Sequence, residues 1–439
     1  MKITFIGAGS TVFSKKVLGD VLLTDALREC EIALYDIDGE RVEESYIVID
    51  SLNKKYNNGK ATIKKYVGVE NRKEAFRNSD FLLNAIQVGG YEPCTVIDFE
   101  IPKKYGIQQT IADTLGIGGI FRALRTIKVL DEMCADMREV CPDAWLINYT
   151  NPMAMITGYL QRYSGIKTIG LCHSVQVCSE SLLSTLGIKD KYEVGSELIA
   201  GINHMAWLLE IKDKQGNDLY PEIRKLAKEL NATTKHGNMV RLDYIDKFGY
   251  YCTESSEHNA EYSALYIKPN RPDLIEKFQI PLDEYLRRCV SQIENWKKQK
   301  DQILNNGDIM HEQSNEYAAK IINAIVTNVP YKFGGNVINN GLIPNLPANA
   351  CVEVPCYADS NGIHPSYVGN LPTQLMAMNT IDVLPQLLTI EAAHEKSVEK
   401  LYQAAMLEPH TASVLSTDEI IAMCDEMLKA HADAGFPHF

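Results

Sequence analysis

The sequence predicts an α/β protein built around a mostly parallel sheet, and three observations carry that expectation. Short runs rich in β-branched and aromatic residues, at 2–6, 31–35, 81–86, 145–149 and 168–171, alternate with helix-forming stretches such as 120–137. The runs after the second end in small or polar residues: Gly89-Gly90, Thr150-Asn151-Pro152 and Cys172-His173. The first run stops at Gly7-Ala8-Gly9-Ser10, a turn suited to a strand entering a helix. Ligands of open parallel sheets bind beyond the carboxyl ends of the strands, so these segments mark where a site is expected.

Lys2-Ile3-Thr4-Phe5-Ile6 is the first strand, residues 12–23 form a helix, and 31–35 give a second strand closed by Asp36. That is a βαβ unit. Gly7 permits the tight turn, Gly9 lets the backbone approach a pyrophosphate at the helix N-terminus, and Ser10 and Thr11 open that helix. Asp36, or Asp38 two residues on, is placed to accept hydrogen bonds from adenosine ribose hydroxyls, which favours NAD over its phosphorylated relative. The third glycine of the usual fingerprint is absent, so the assignment leans on the flanking strand, helix and acid. Residues 1–175 are therefore expected to form a Rossmann-like NAD-binding domain, of the lactate/malate dehydrogenase kind.

Beyond residue 175 the texture changes. Residues 198–211 read as a strand region, while 283–298 and 387–405 show helical periodicity. Ser416-Thr417-Asp418-Glu419 is a capping box opening a last helix that reaches about residue 432. No repeat, low-complexity tract or Pro/Ser linker separates the halves. The expectation is a mixed α/β domain over 176–439, carrying substrate, metal and oligomerisation surfaces, packed closely on the first with the site between them.

Composition narrows the function classes. A chain of 439 residues exceeds what one core usually supports, and 45% hydrophobic residues suffice for a large interior. A formal charge of −13 argues against nucleic acid or an anionic membrane, which need clustered Lys and Arg. Apolar runs are only strand-length and no signal-peptide pattern is visible, so no membrane role is expected. Eleven cysteines without a framework spacing suit a reducing cytoplasm.

Two segments carry the chemistry: Gly170-Leu171-Cys172-His173-Ser174 and Gly201-Ile202-Asn203-His204-Met205. They offer a thiolate and imidazoles, but their spacing matches no structural zinc motif, and either Cys172 or His204 alone reads as readily as a core residue. Together with Phe5-Ile6-Gly7-Ala8-Gly9-Ser10 and Asn148-Tyr149-Thr150-Asn151-Pro152, they resemble glycoside hydrolase family 4 nearly end to end. Gln87-Val88-Gly89-Gly90-Tyr91, Thr253-Glu254-Ser255-Ser256-Glu257-His258 and Ala404-Ala405-Met406 resemble its bacterial α-galactosidases in particular.

That resemblance implies a glycosidase that departs from two-carboxylate hydrolysis. The implied route is oxidation at C3 of the sugar by NAD, metal-assisted removal of the C2 proton, elimination at C1, addition of water and return of the hydride. It implies a divalent metal held by Cys172 and His204. Soft thiolate and hard sugar hydroxyls leave zinc, manganese, iron, cobalt and nickel open, and manganese comes from the family. Tyr262 matches the proton-abstracting base, Asp113 a carboxylate that tunes it, and Asn151 a ligand of substrate hydroxyls. A phenol with pKa about 10 needs a nearby positive charge to serve as base near neutrality.

Two departures shape the expected substrate. The phospho-sugar members carry Asp after the metal cysteine, where this chain has His173, an imidazole able to protonate a leaving oxygen. Where that branch has an arginine this chain has Cys94, with Glu92 nearby to repel a phosphate. An unphosphorylated α-galactoside of the melibiose or raffinose type is expected, with an α-glucoside or α-galacturonide as the same-family alternative. A 2-hydroxy acid dehydrogenase is the rival from another class, with Arg122 and Arg125 as its carboxylate clamp. A homodimer or homotetramer is expected.

Overall fold

The computed structural model describes residues 1–305 and 309–439. Among them, twelve strands form one sheet. They are β1 (Lys2–Ile6), β2 (Glu31–Asp36), β3 (Thr62–Val67), β4 (Phe81–Asn84), β5 (Trp145–Asn148), β6 (Lys167–Gly170), β7 (Leu198–Ile202), β8 (Met205–Glu210), β9 (Tyr251–Cys252), β10 (Tyr331–Ile338), β11 (Cys351–Asp359) and β12 (Gly362–Pro365). Their order is β3-β2-β1-β4-β5-β6-β10-β11-β7-β8-β9, with β12 on β11.

The first six strands are parallel in the order 3-2-1-4-5-6, the arrangement of dinucleotide-binding sheets. β1 is buried over Ile3–Ile6, and β4 along its whole length, as strands between two covered faces must be. The expected α/β fold with a Rossmann-like unit is present.

The sheet then continues antiparallel. β6 meets β10 through Gly170 and Asn336, and β11 meets β7 through Glu353 and Gly201. One apolar core runs through both halves, and a smaller one gathers the β7–β8 hairpin under the helices Tyr220–Thr233 and Met239–Phe248.

Two elements differ from expectation. The strand region at 198–211 is a hairpin, folded at a tight turn where His204 adopts φ +62°. The helical stretch at 387–405 is two helices, Thr373–Glu395 and Val398–Leu407. Lys396 takes the left-handed conformation and the Ser397 side chain accepts from the Lys400 amide, so one helix is closed and the next capped. The capping box at Ser416 is formed as read, opening the helix Thr417–Asp433.

Candidate active site

The dinucleotide end of the site rests on the turn after β1. Gly7 has φ +87°, and a Cβ there would lie 2.5 Å from the carbonyl oxygen of Ala85, so only glycine fits. Ser10 is the N-cap of the helix Thr11–Leu23, whose first turn carries no acidic residue and so faces an anion favourably. Asp36 reaches back from the end of β2, and one of its oxygens accepts from the Gly9 amide at 2.7 Å. Asp38 is engaged otherwise: it caps the helix Gly39–Asn57 by accepting from the Arg41 amide. The Thr11 hydroxyl is 2.9 Å from the Ser45 hydroxyl in a buried helix contact.

Cys172 follows β6 as the N-cap of the helix His173–Thr185. Tyr317 fixes its backbone: the phenol oxygen accepts from the Cys172 amide at 2.8 Å and lies 2.7 Å from the Cys172 carbonyl. His204 sits in the hairpin turn, its carbonyl taken by the Asn259 side chain at 3.0 Å. Sequence reasoning assigned no role to Glu254, yet Cys172, His204 and Glu254 present ligand atoms all within 4.8 Å of one another. A thiolate, an imidazole and a carboxylate are a donor set for a divalent transition metal. Burial, with Glu353 and Glu254 nearby, pushes the Cys172 thiol well above its ordinary value. Only a cation would reverse that and make the sulfur a ligand.

Tyr262 is 1% exposed and its hydroxyl lies 3.1 Å from His204 Nδ1, while His204 Nε2 faces Glu254 at 3.4 Å. The tyrosine therefore sits behind the imidazole whose other nitrogen points to the thiolate side. Burial, and then Asp113, Glu261 and Glu254, push the Tyr262 phenol well above its ordinary value. Asp113 accepts from Thr114 at 2.8 Å and from the Asn151 side-chain amide at 3.1 Å. Burial opposes its ionisation, but His258 and then Arg122 hold it below the usual carboxylate range. His258 is a second residue with no role assigned from the sequence. Its Nε2 is 3.7 Å from Asp113 and its Nδ1 3.6 Å from Glu254, and Asp113, His204 and His258 form a second cluster of possible ligands.

The structure thus brings Cys172, His204, Tyr262, Asp113 and Asn151 together. His173 stands apart from them. Its Nε2 is 2.5 Å from Glu316 and its ring lies against Phe13 and Tyr149, with half its side chain exposed. Phe13 belongs to the helix after the glycine turn.

A family model for family 4 glycosyl hydrolase matches residues 2–188, and the C-terminal domain of family 4 glycosyl hydrolase matches residues 199–411. The chain belongs to family 4 of the glycosyl hydrolases. It is 59% identical, over 98% of both chains, to the alpha-galactosidase of Bacillus subtilis. It shares its fold with a 6-phospho-alpha-glucosidase from gut microorganisms solved with NAD and Mn2+ (TM-score 0.77, 22% identity, 98% of both chains). It is likewise similar to the 6-phospho-beta glucosidase of Thermotoga maritima solved with manganese, NAD+ and glucose-6-phosphate (TM-score 0.78, 21% identity, 99% of both chains).

In this family 4 enzyme the arginines weighed as a carboxylate clamp are already engaged. Arg125 pairs with buried Asp98 at 2.5 Å and donates to the Val88 carbonyl. Arg122 donates to the Asn151 carbonyl and to the Tyr285 hydroxyl. Cys94 is fully buried and packs beneath Gly89. No helix among the described residues is long and apolar enough to cross a membrane, and all eleven cysteines are free and buried.

Proposed function

We propose that this enzyme is an NAD- and manganese-dependent α-galactosidase acting on small unphosphorylated α-galactosides such as melibiose or raffinose. One observation carries the reading: Cys172, His204 and Glu254 converge beside a tyrosine bonded to the same imidazole, in a chain 59% identical to an alpha-galactosidase. When bound, manganese supplies positive charge beside the sugar hydroxyls and NAD a hydride acceptor for C3.

The residues of the chain do the rest. Gly7, Gly9 and Ser10 keep the turn free of bulky side chains, so the pyrophosphate can approach the backbone at the helix N-terminus, and Asp36 receives the ribose. Cys172 and His204 hold the metal, with Glu254 as a third donor. Tyr262 removes the C2 proton, its oxygen taking a hydrogen bond from the outer nitrogen of His204, as the second nitrogen of a ligating imidazole commonly does. Asp113 shapes the basicity of Tyr262 and orients Asn151 toward a hydroxyl. His173, aligned by Glu316, gives a proton to the leaving oxygen.

Charge selects the substrate. Asp113, Glu254, Glu257, Glu261 and Glu353 crowd the interior around the site. The arginines near them are engaged: Arg288 by Glu257 and Glu284, Arg241 by Asn238. A phosphate or a uronate would meet this excess of carboxylates, so a neutral sugar fits. Paired nitrophenyl α-galactoside and α-glucoside, assayed with NAD and manganese omitted in turn, test the reading. Release from the galactoside only when both are present is expected. Equal release from the glucoside, or full turnover without NAD, would contradict it.

A further inference from the structure

Glu261 ends the helix Ser256–Glu261, directly before Tyr262, and is buried. Its two oxygens accept from three successive backbone amides of a distant loop. The Thr110 amide lies at 2.7 Å, the Ala112 amide at 2.8 Å, and the Ile111 amide at 3.2 and 3.3 Å from the two oxygens. Three consecutive amides turned toward one carboxylate make an anion nest. The nest closes because Ala112 adopts φ +51°, a left-handed conformation that disfavours a residue bearing a Cβ. The Thr110 hydroxyl adds a second tie, donating to the Glu257 carbonyl at 2.7 Å.

The partners of this contact are informative. The residue after Ala112 is Asp113, and the residue after Glu261 is Tyr262. The clip therefore joins the immediate chain neighbours of the two groups on which proton removal depends, and both groups approach His204: the Tyr262 hydroxyl lies 3.1 Å from its Nδ1, and Asp113 has an oxygen within 4.8 Å of a nitrogen of the same ring. Buried backbone amides would otherwise need another acceptor, and a strained alanine would need another reason to stay strained.

We propose that Glu261 is a positioning residue that fixes Asp113 against Tyr262 and so sets the geometry of proton removal at C2. The proposal rests on the redox reading above, but it assigns a task to a residue that touches neither sugar nor cofactor. Glutamine at this position has nearly the same volume. It puts an NH2 group where one oxygen now accepts, so at least one amide is repelled and the loop shifts. A displacement of about 1 Å near reacting groups costs on the order of 10²-fold in rate.

Two signals separate the steps in the holoenzyme. NADH absorbance after rapid mixing with an α-galactoside reads oxidation at C3, and loss of C2 hydrogen to heavy water reads proton removal. E261Q is expected to form enzyme-bound NADH as the wild type does, and to exchange C2 hydrogen roughly 10²-fold more slowly. NAD affinity should stay unchanged. Glycine tolerates the left-handed conformation, so the double variant E261Q/A112G is expected to recover part of the exchange. It also supplies the measurement if E261Q alone does not fold. Equal loss of both signals in the double variant, or exchange at the wild-type rate in E261Q, overturns the proposal. A wild-type enzyme that gives neither signal overturns instead the redox reading on which it stands.

Discussion

At the scale of single residues, the site is organised by hydrogen bonds that decide which atom faces what. His204 turns Nδ1 to Tyr262 and Nε2 to Glu254, so one ring serves the base and the donor cluster at once. His173 is held in a comparable way: Nε2 faces Glu316, leaving Nδ1 without a hydrogen-bond partner among the described residues. Glu316 is in turn fixed through Ser314, which accepts from its amide and donates to buried Asp20 on the first helix. If His173 protonates the leaving oxygen, its importance must scale with how poor the leaving group is. His173→Ala and Glu316→Gln should therefore slow melibiose hydrolysis by about 10²-fold or more. Nitrophenyl α-galactoside, whose phenolate departs without help, should be slowed only a few-fold. Parallel rate measurements check this, and an equal loss on both substrates would assign His173 to packing.

At the scale of elements, three of the ten described non-glycine residues with a left-handed backbone lie beside the chemistry. Ala112, His204 and Glu254 all have positive φ and all border the site. Such conformations cost an L-residue roughly 1–2 kcal/mol each and persist where surrounding contacts fix them. The helix Gly116–Val140 packs against the Asp113 loop because Gly118 has no side chain: a Cβ there would lie 2.8 Å from the Ala112 carbonyl oxygen. The two acids near the end of β2 separate in function at this scale. Asp36→Ala should weaken NAD about tenfold or more, since it removes a charged acceptor from the glycine turn, with a modest change in melting temperature. Asp38→Ala should cost about 1 kcal/mol of stability through its lost helix cap and leave NAD affinity unchanged. NAD titration and thermal melting of both variants check the assignment, and it fails if NAD affinity is the same in both.

The elements also show where sequence reading stops. β1, β2, β4, β5 and β6 are continuous β-branched or aromatic runs and are legible as strands. β10 is not, because Gly334-Gly335-Asn336 interrupts its apolar run and lowers strand propensity. Cys172, His204, Tyr262, Asp113 and Asn151 were singled out through the family's motifs, and the structure places them together. Glu254, His258, Glu261 and Glu316 were not singled out, since each gains its place from a contact between segments far apart in the chain. Thr253-Glu254-Ser255-Ser256-Glu257-His258 was visible as a segment of resemblance, but no spacing rule marks which of its acids turns inward.

At the scale of the whole molecule, one sheet carries both halves, and the chemistry gathers where parallel order gives way to antiparallel. β6 delivers Cys172, the β7–β8 hairpin delivers His204, and the helix Ser256–Glu261 delivers Tyr262 to one place. At the seam lies Glu353, buried between Asn336 and Asn203, its carboxyl pushed up to about 7 by burial. Direct displacement at C1 would need none of this convergence, since it leaves the C2 and C3 hydrogens untouched. Hydrolysis through oxidation and C2 deprotonation by Tyr262 is the proposed route. It is tested most directly by turnover in heavy water, with deuterium at C2 of the released galactose read by mass spectrometry or NMR. Deuterium is expected at C2 in the wild-type product and suppressed in Tyr262→Phe, which still binds NAD. Galactose free of deuterium, formed equally well by enzyme stripped of NAD, would contradict it.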